Sequence, residues 1–161
     1  MASRGQRALL ATGSRAPQFQ LPRLDGGEIV LNQMTAGGPV LLAFFKVSCP
    51  VCQLTFPYLE RIHAAGLTVY GISQNDPDDT REFNQYYGVT FPTLLDTEES
   101  GFPVSDAYGI SSVPTMFLAD SSGSITRVIE GWSKKDMEWL GRQVGVSPFR
   151  EGERVPEWKS G

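Results

Sequence analysis

Hydrophobic and polar positions fall into blocks along the chain, and the blocks predict alternating strands and helices. Residues 40–45 are an unbroken apolar run, which is typical of a strand buried on both faces. From Cys52 to Ile62, apolar positions recur every three or four residues and predict one face of a helix. Gly66 ends that helix, and residues 67–73 predict a second strand. This strand–helix–strand order predicts a right-handed crossover and parallel pairing.

The alternation continues through the middle of the chain. A helix is predicted over residues 76–87, because acidic residues suit the first turn of a helix and Gly88 interrupts the pattern. A third short strand is predicted within residues 91–97. Residues 101–109 are expected to contain a short helix.

Turn-forming residues predict a hairpin near each end of the chain. Residues 25–27 (Asp-Gly-Gly) separate two short apolar runs and predict an N-terminal hairpin. Residues 121–123 (Ser-Ser-Gly) separate two longer runs and predict an antiparallel pair of strands. Ser133 is expected to cap a last helix over residues 134–144.

These elements predict a single α/β domain with a central mixed β-sheet flanked by helices. A chain of 161 residues fits one domain and can bury a sizeable core. We expect the domain to cover residues 16–146. A flexible N-terminus is expected over residues 1–15, and a tail without clear periodicity over residues 147–161.

Composition and charge exclude several classes of protein. Hydrophobic residues make up 40% of the chain and charged residues 20%, which is ordinary for a globular protein. A net charge of −4 does not favour nucleic-acid binding, and no apolar run reaches the roughly 18 residues of a membrane helix. The apolar run at residues 8–11 is shorter than the roughly 7–15 residues of a secretory signal. The expected compartment is therefore the cytoplasm, and the alternative is export if the natural protein carries a signal that this sequence lacks.

The two cysteines of the chain, Cys49 and Cys52, lie between the first buried strand and the helix that follows it. Amide groups at a helix N-terminus stabilise an anion, and a thiolate is such an anion. The pKa of Cys49 is therefore expected to fall from about 8.5 into the range of roughly 3.5 to 7.5. Cys52 lies one turn further on and can close a ring. The pattern predicts that Cys49 attacks a disulfide and that Cys52 resolves the mixed disulfide.

Two other interpretations of the cysteine pair remain open at this point. The pair could be buried and inert, or it could bind zinc. Structural zinc takes four protein ligands, and His63, the single histidine of the chain, lies about three turns past Cys52. Only a dimer that shared two cysteine pairs would complete such a site. We expect neither a metal nor another cofactor.

The segment "FFKVSCPVCQLTFPYL" resembles the active-site segment of the thioredoxin superfamily, and Pro57 matches the kink proline of that family. "SSVPTMFLADSSGSI" resembles its cis-proline segment. The resemblance implies a thioredoxin-like fold in which Pro114 is a cis-proline that faces the cysteines. It also implies a substrate groove around the cysteines, formed by Pro50, Val51, Val113 and Pro114.

The segment "APQFQLPRLDGGEIVLNQM" is similar to the N-terminal extension of the TlpA/ResA-like and redoxin (AhpC/TSA) branch. A strand-and-helix block at residues 75–100 is similar to the insertion of that branch, and the resemblance covers residues 16–145. It implies a thiol-disulfide oxidoreductase whose partners are protein disulfides or dithiols and an upstream thiol donor. No nucleic-acid or membrane partner is expected, and the chain is expected to be a monomer or a weak dimer.

Three positions depart from the pattern of the family. The buried aspartate of thioredoxin is Ala43 here, and the glutamate of many TlpA/ResA-like proteins is Thr55. The tryptophan before the first cysteine is Ser48. The carboxylate that transfers a proton to the resolving cysteine is therefore missing at both expected positions. The Pro50-Val51 pair also differs from that of reducing thioredoxins, and we expect a potential between about −270 and −120 mV.

Two alternative functions follow from the same residues. A redoxin-type peroxidase would use Cys52 as the peroxidatic cysteine, but Cys49 then occupies the position of the hydroxyl residue that such enzymes need. A non-enzymatic binding module would hold a polypeptide in the groove near Cys49 without exchanging electrons. Cysteine variants separate these alternatives from disulfide exchange.

Overall fold

A computed structural model describes residues 8–161, and residues 1–7 lie outside the described part. The described elements, in chain order, are β1 (Gln20–Pro22), β2 (Glu28–Val30), α1 (Leu31–Thr35), β3 (Val40–Phe45), α2 (Pro50–Ala64), β4 (Thr68–Ser73), α3 (Pro77–Tyr87), β5 (Thr93–Leu95), α4 (Pro103–Ala107), β6 (Thr115–Ala119), β7 (Ile125–Glu130), β8 (Trp132–Ser133), α5 (Lys134–Gln143) and β9 (Trp158–Lys159).

The main sheet has five strands in the order β5-β4-β3-β6-β7. β3 and β4 pair in parallel, as do β4 and β5, whereas β6 is antiparallel to both β3 and β7. Two small antiparallel pairs, β1-β2 and β8-β9, complete the described strands. This arrangement confirms the predicted mixed sheet, its parallel crossover and both predicted hairpins.

The central strand β3 is buried along its whole length, because all six of its residues are apolar and face helices or other strands. Its last residue, Phe45, is 0% exposed and packs against two further aromatic rings. The ring centroids lie 4.3 Å from Phe56 on α2 and 4.9 Å from Phe83 on α3. The core thereby fixes the end of β3, from which the chain passes directly to the two cysteines.

The N-terminal segment contacts the far edge of the sheet. The amide of Gly13 donates a hydrogen bond to Ile125 O at 2.8 Å, and the amide of Ala16 donates to Gly123 O at the same distance. Residues 1–7 of the predicted flexible N-terminus lie outside the described residues. Flexibility over residues 1–15, and the predicted domain limits, stay predictions.

The tail, which has no clear sequence periodicity, folds back onto α2 and β8. Arg61 of α2 donates hydrogen bonds to Pro148 O at 2.9 Å and to both carboxylate oxygens of Glu153 at 2.7 and 2.8 Å. The buried indole of Trp132 donates to Pro156 O at 2.6 Å. The sequence analysis missed α1 and β8, which follow β2 and β7 almost without a break, and β9, which lies in the tail without clear periodicity.

The described helices are short compared with a bilayer. α2 contains 15 residues, whereas a membrane-spanning helix needs about 20. Within residues 8–161, no helix is both long enough and apolar enough to cross a membrane.

Removal of the aromatic ring of Phe45 tests the role of the core. Phe45→Ala should lower the free energy of unfolding by roughly 3–5 kcal/mol, because it leaves a cavity among packed rings. Tyr86→Ala is the matched control, since Tyr86 is 80% exposed and a surface change should stay within roughly 0.5 kcal/mol. Urea unfolding of the reduced protein measures both values. Equal effects of the two substitutions would contradict this packing role.

Candidate active site

The two cysteines occupy the first turn of α2. Cys49 is the N-cap residue of the helix, and Pro50 follows at the first helical position. A proline is suited to this position, because the backbone N–H that it lacks would have no partner within the helix. The Cys49 side chain is half-buried, whereas Cys52 is 0% exposed. Both are free thiols. The helix therefore begins at Cys49, as the sequence predicts, and presents one sulfur outward and the other inward.

The loop between β3 and Cys49 is held by side chains that the sequence analysis did not single out. The amide of Val47 donates to Asn75 Oδ1 at 2.9 Å, across 28 positions of sequence. The side-chain amide of Gln53 donates to Val47 O at 3.0 Å. The amide of Cys49 donates to Lys46 O at 3.3 Å. These bonds fix the direction in which Cys49 points, and no local sequence signal marks Asn75 for this role.

Hydrogen-bond donors surround the sulfur of Cys49 on its helix side. The amide of Cys52 lies 3.1 Å from Cys49 Sγ and donates to it. The pKa of Cys49 falls to about 6, chiefly because the Cys52 thiol donates a hydrogen bond to its sulfur. Burial opposes this decrease, whereas the amides of Cys52 and Val51 and the charge of Lys46 support it. The value lies within the range predicted from the position of Cys49.

The other side of Cys49 faces a cis peptide bond between Val113 and Pro114. This is the conformation predicted for Pro114. The Cys49 thiol donates to Val113 O at 3.3 Å. That bond exists only in the protonated form and therefore opposes ionisation, but a thiol is a weak donor. The donors on the helix side outweigh it, so the net decrease in the pKa of Cys49 stands.

The second cysteine has the opposite ionisation behaviour. Burial raises the pKa of Cys52 far above its usual value, and the hydrogen bond with Cys49 raises it further. At neutral pH the pair is therefore a Cys49 thiolate next to a Cys52 thiol. Of the two sulfurs, Cys49 Sγ is therefore the one in the reactive thiolate form.

Neither of the two positions that carry a carboxylate in the family supplies a proton carrier here. Ala43 and Thr55 are both 0% exposed. The Thr55 hydroxyl donates to Val51 O at 2.7 Å, one turn back in the same helix. Both positions at which the family carboxylate is replaced thus lie in the core.

The four predicted groove residues surround Cys49. Pro50 is exposed and Val51 is partly exposed, whereas Val113 and Pro114 are buried. Sequence reasoning missed a neighbour of this surface, Gly161. A Cβ atom built on Gly161 would lie 2.7 Å from the carbonyl carbon of Val113, so the backbone of residue 161 contacts the cis peptide directly. That these residues bind a client stays a prediction.

The single histidine does not belong to the cysteine pair. His63 Nδ1 lies 3.0 Å from Leu67 O, and its ring packs edge-on against Phe91 at 5.8 Å between centroids. His63 is half-buried. Within residues 8–161, no cluster of three or more His, Cys, Asp or Glu side chains could hold a metal ion.

The ionisation of Cys49 can be measured directly. The rate at which iodoacetamide alkylates Cys49 in the reduced protein should rise with pH around a midpoint near 6, because only the thiolate reacts. Cys52→Ala should shift the midpoint toward the ordinary value of about 8.5, since it removes the main donor. Cys52→Ser keeps a hydroxyl donor and should shift the midpoint less. A wild-type midpoint near 8.5 would contradict the described geometry.

Comparisons with known proteins identify the family of the chain. Residues 12–128 match the AhpC/TSA family. The thiol-disulfide oxidoreductase ResA of Halalkalibacterium halodurans is 32% identical over 136 residues, which cover 81% of this chain and 75% of that protein. ResA of Bacillus subtilis (strain 168) is 31% identical and is covered to 72%, with 80% of this chain aligned.

A solved structure gives the same result at the level of the fold. The thioredoxin domain of a thiol-disulfide oxidoreductase from Bacteroides vulgatus superposes with a TM-score of 0.70 at 27% identity. The match covers 84% of this chain and 96% of that one. The fold and the matched family agree with one another. The chain belongs to the AhpC/TSA family and is a thiol-disulfide oxidoreductase with a thioredoxin-like fold, similar to ResA.

Proposed function

We propose that Cys49 and Cys52 form the dithiol–disulfide couple of the enzyme, and that its client is a disulfide or dithiol in another polypeptide. The observation that carries the proposal is the opposite ionisation of the two sulfurs. Cys49 has a pKa of about 6 and is half-exposed, whereas Cys52 is buried and stays protonated. Cys49 can therefore attack first, while Cys52 stays protonated until the second step.

The exchange proceeds in two steps. The Cys49 thiolate attacks one sulfur of the client disulfide, the client S–S bond breaks, and one client thiolate leaves. Cys52 then loses its proton to the client thiolate and attacks Cys49 Sγ. The mixed disulfide breaks, and the second client thiolate leaves. The client gains two electrons, and the enzyme ends with a Cys49–Cys52 disulfide; an upstream dithiol reverses this oxidation.

The surface around Cys49 favours a polypeptide client. Pro50 and Val51 present apolar surface on one side of the sulfur, and the main chain of Val113 lies on the other. An extended polypeptide can lie along such a main chain and place a side chain next to the sulfur. The apolar side chains add contact area without competing for the sulfur.

The same environment opposes the peroxidase alternative. A peroxidatic cysteine must be an accessible thiolate. Cys52, the residue that would fill this role, is 0% exposed and its pKa is raised. No specific feature of the site therefore favours a second candidate function.

Trapping of the mixed disulfide tests the proposed roles. Cys52→Ala should accumulate a covalent complex with insulin, because Cys49 attacks but nothing resolves the product. Cys49→Ser should form no complex and should reduce insulin only at the uncatalysed rate. Non-reducing electrophoresis and intact mass measure the complex after the reduced variant is mixed with insulin in the absence of free reductant. Insulin reduction is measured separately, with dithiothreitol as the electron donor.

The reciprocal pair of variants serves as its own control, since each variant removes one sulfur from the same helical turn. A complex that forms with Cys49→Ser but not with Cys52→Ala would reverse the assigned roles. Insulin binding that is unchanged in a Cys49→Ser/Cys52→Ser double variant, with no exchange by the wild type, would favour the binding module.

A further inference from the structure

Residues 156–161 form a strap that runs from the buried Trp132 to the cis peptide bond. The base of the strap is fixed by Trp132 Nε1, which donates to Pro156 O at 2.6 Å. The amide of Lys134 donates to Glu157 O at 3.0 Å, and β9 pairs with β8 over two residues. Beyond β9, no further described pairing holds the strap until it reaches Val113.

The end of the strap lies on the Val113–Pro114 peptide itself. A Cβ atom on Gly161 would lie 2.7 Å from the carbonyl carbon of Val113 and 3.3 Å from the nitrogen of Pro114. A Cβ atom on Gly131 would lie 3.1 Å from the nitrogen of Gly161. The two glycines therefore allow the backbones to approach more closely than any residue with a side chain would.

This position competes with the client. Val113 O, which contacts the strap, lies 3.3 Å from Cys49 Sγ. A client main chain that lies along Val113, as proposed above, would need the same place, and two backbones cannot occupy it together. A small disulfide does not need the Val113 main chain, and Cys49 itself stays half-exposed.

We propose that the strap is an intramolecular occupant of the client groove, and that a polypeptide displaces it before its disulfide reaches Cys49. The inference rests on the proposed function and adds a gate to it. Displacement is feasible because the side chains of residues 157–161 are exposed, Trp158 to 62%, so little apolar surface is lost when they leave. Pro156 stays anchored and serves as the hinge.

Substitution at the end of the strap tests the gate in the full chain. Gly161→Val should unseat the strap, because its side chain overlaps the Val113 carbonyl. Ser160→Val is the matched control, since Ser160 is exposed. We expect Gly161→Val to raise the second-order rate with insulin about tenfold, equivalent to about 1.4 kcal/mol. The rate with hydroxyethyl disulfide should not change in either variant.

A second pair of variants tests the release of the strap by a different substitution. Lys159→Pro removes a backbone N–H from the two-residue pairing with β8, which should also release the strap. Lys159→Ala keeps the backbone and is its control. The pH midpoint of Cys49 alkylation should stay near 6 in all four variants, which shows that the cysteine pair is intact.

Any of three results for Gly161→Val and Lys159→Pro would overturn the gate. The variants could react with insulin at the same rate as their controls, or more slowly than the wild type. They could also react faster with insulin and with hydroxyethyl disulfide by the same factor. In each of these cases the wild type would still react with hydroxyethyl disulfide through Cys49, so the proposed function itself would not be contradicted. Failure of the wild type to react with either disulfide would instead contradict the proposed function, and the gate would fall with it.

Discussion

The hydrogen bonds to Cys49 Sγ at the start of α2 are the interaction on which the chemistry depends. Because Cys49 is the N-cap residue, its sulfur accepts a hydrogen bond from the amide of Cys52. That amide lies in the first turn and has no acceptor within the helix. The Cys52 thiol adds the strongest contribution, and the pKa of Cys49 falls to about 6. The sulfur is therefore in the thiolate form at neutral pH.

The rest of the fold serves to hold that helix start in place. β3 is buried on both faces, and Phe45 fixes its end against α2 and α3. The short loop that follows is held by Asn75 and Gln53. Since Cys52 lies inside the same core, one sulfur is kept neutral while the other ionises. Burial thus divides two chemically identical side chains into a thiolate and a thiol.

The elements near the cysteines could be predicted from sequence because their signals are local. β3 is a continuous apolar run, α2 has a helical period, and the cysteines are three positions apart. The strap could not be predicted, since its contacts depend on pairs such as Trp132 with Pro156 and Gly161 with Val113, which are distant in sequence. A two-residue strand has no period, and a glycine required by close backbone approach looks like any loop glycine.

The redox equilibrium of the cysteine pair tests the central claim most directly. The protein would be equilibrated in glutathione or dithiothreitol redox buffers and alkylated, and the fraction with free thiols would be read from its intact mass. The account predicts that one intramolecular Cys49–Cys52 disulfide forms reversibly, with a reduction potential between about −270 and −120 mV. A stabilised thiolate favours the reduced form of the pair, so the potential is less negative than that of a pair in which neither thiol is acidic. If no intramolecular disulfide formed in any buffer, the cysteines would not be a redox couple, and the account would be wrong.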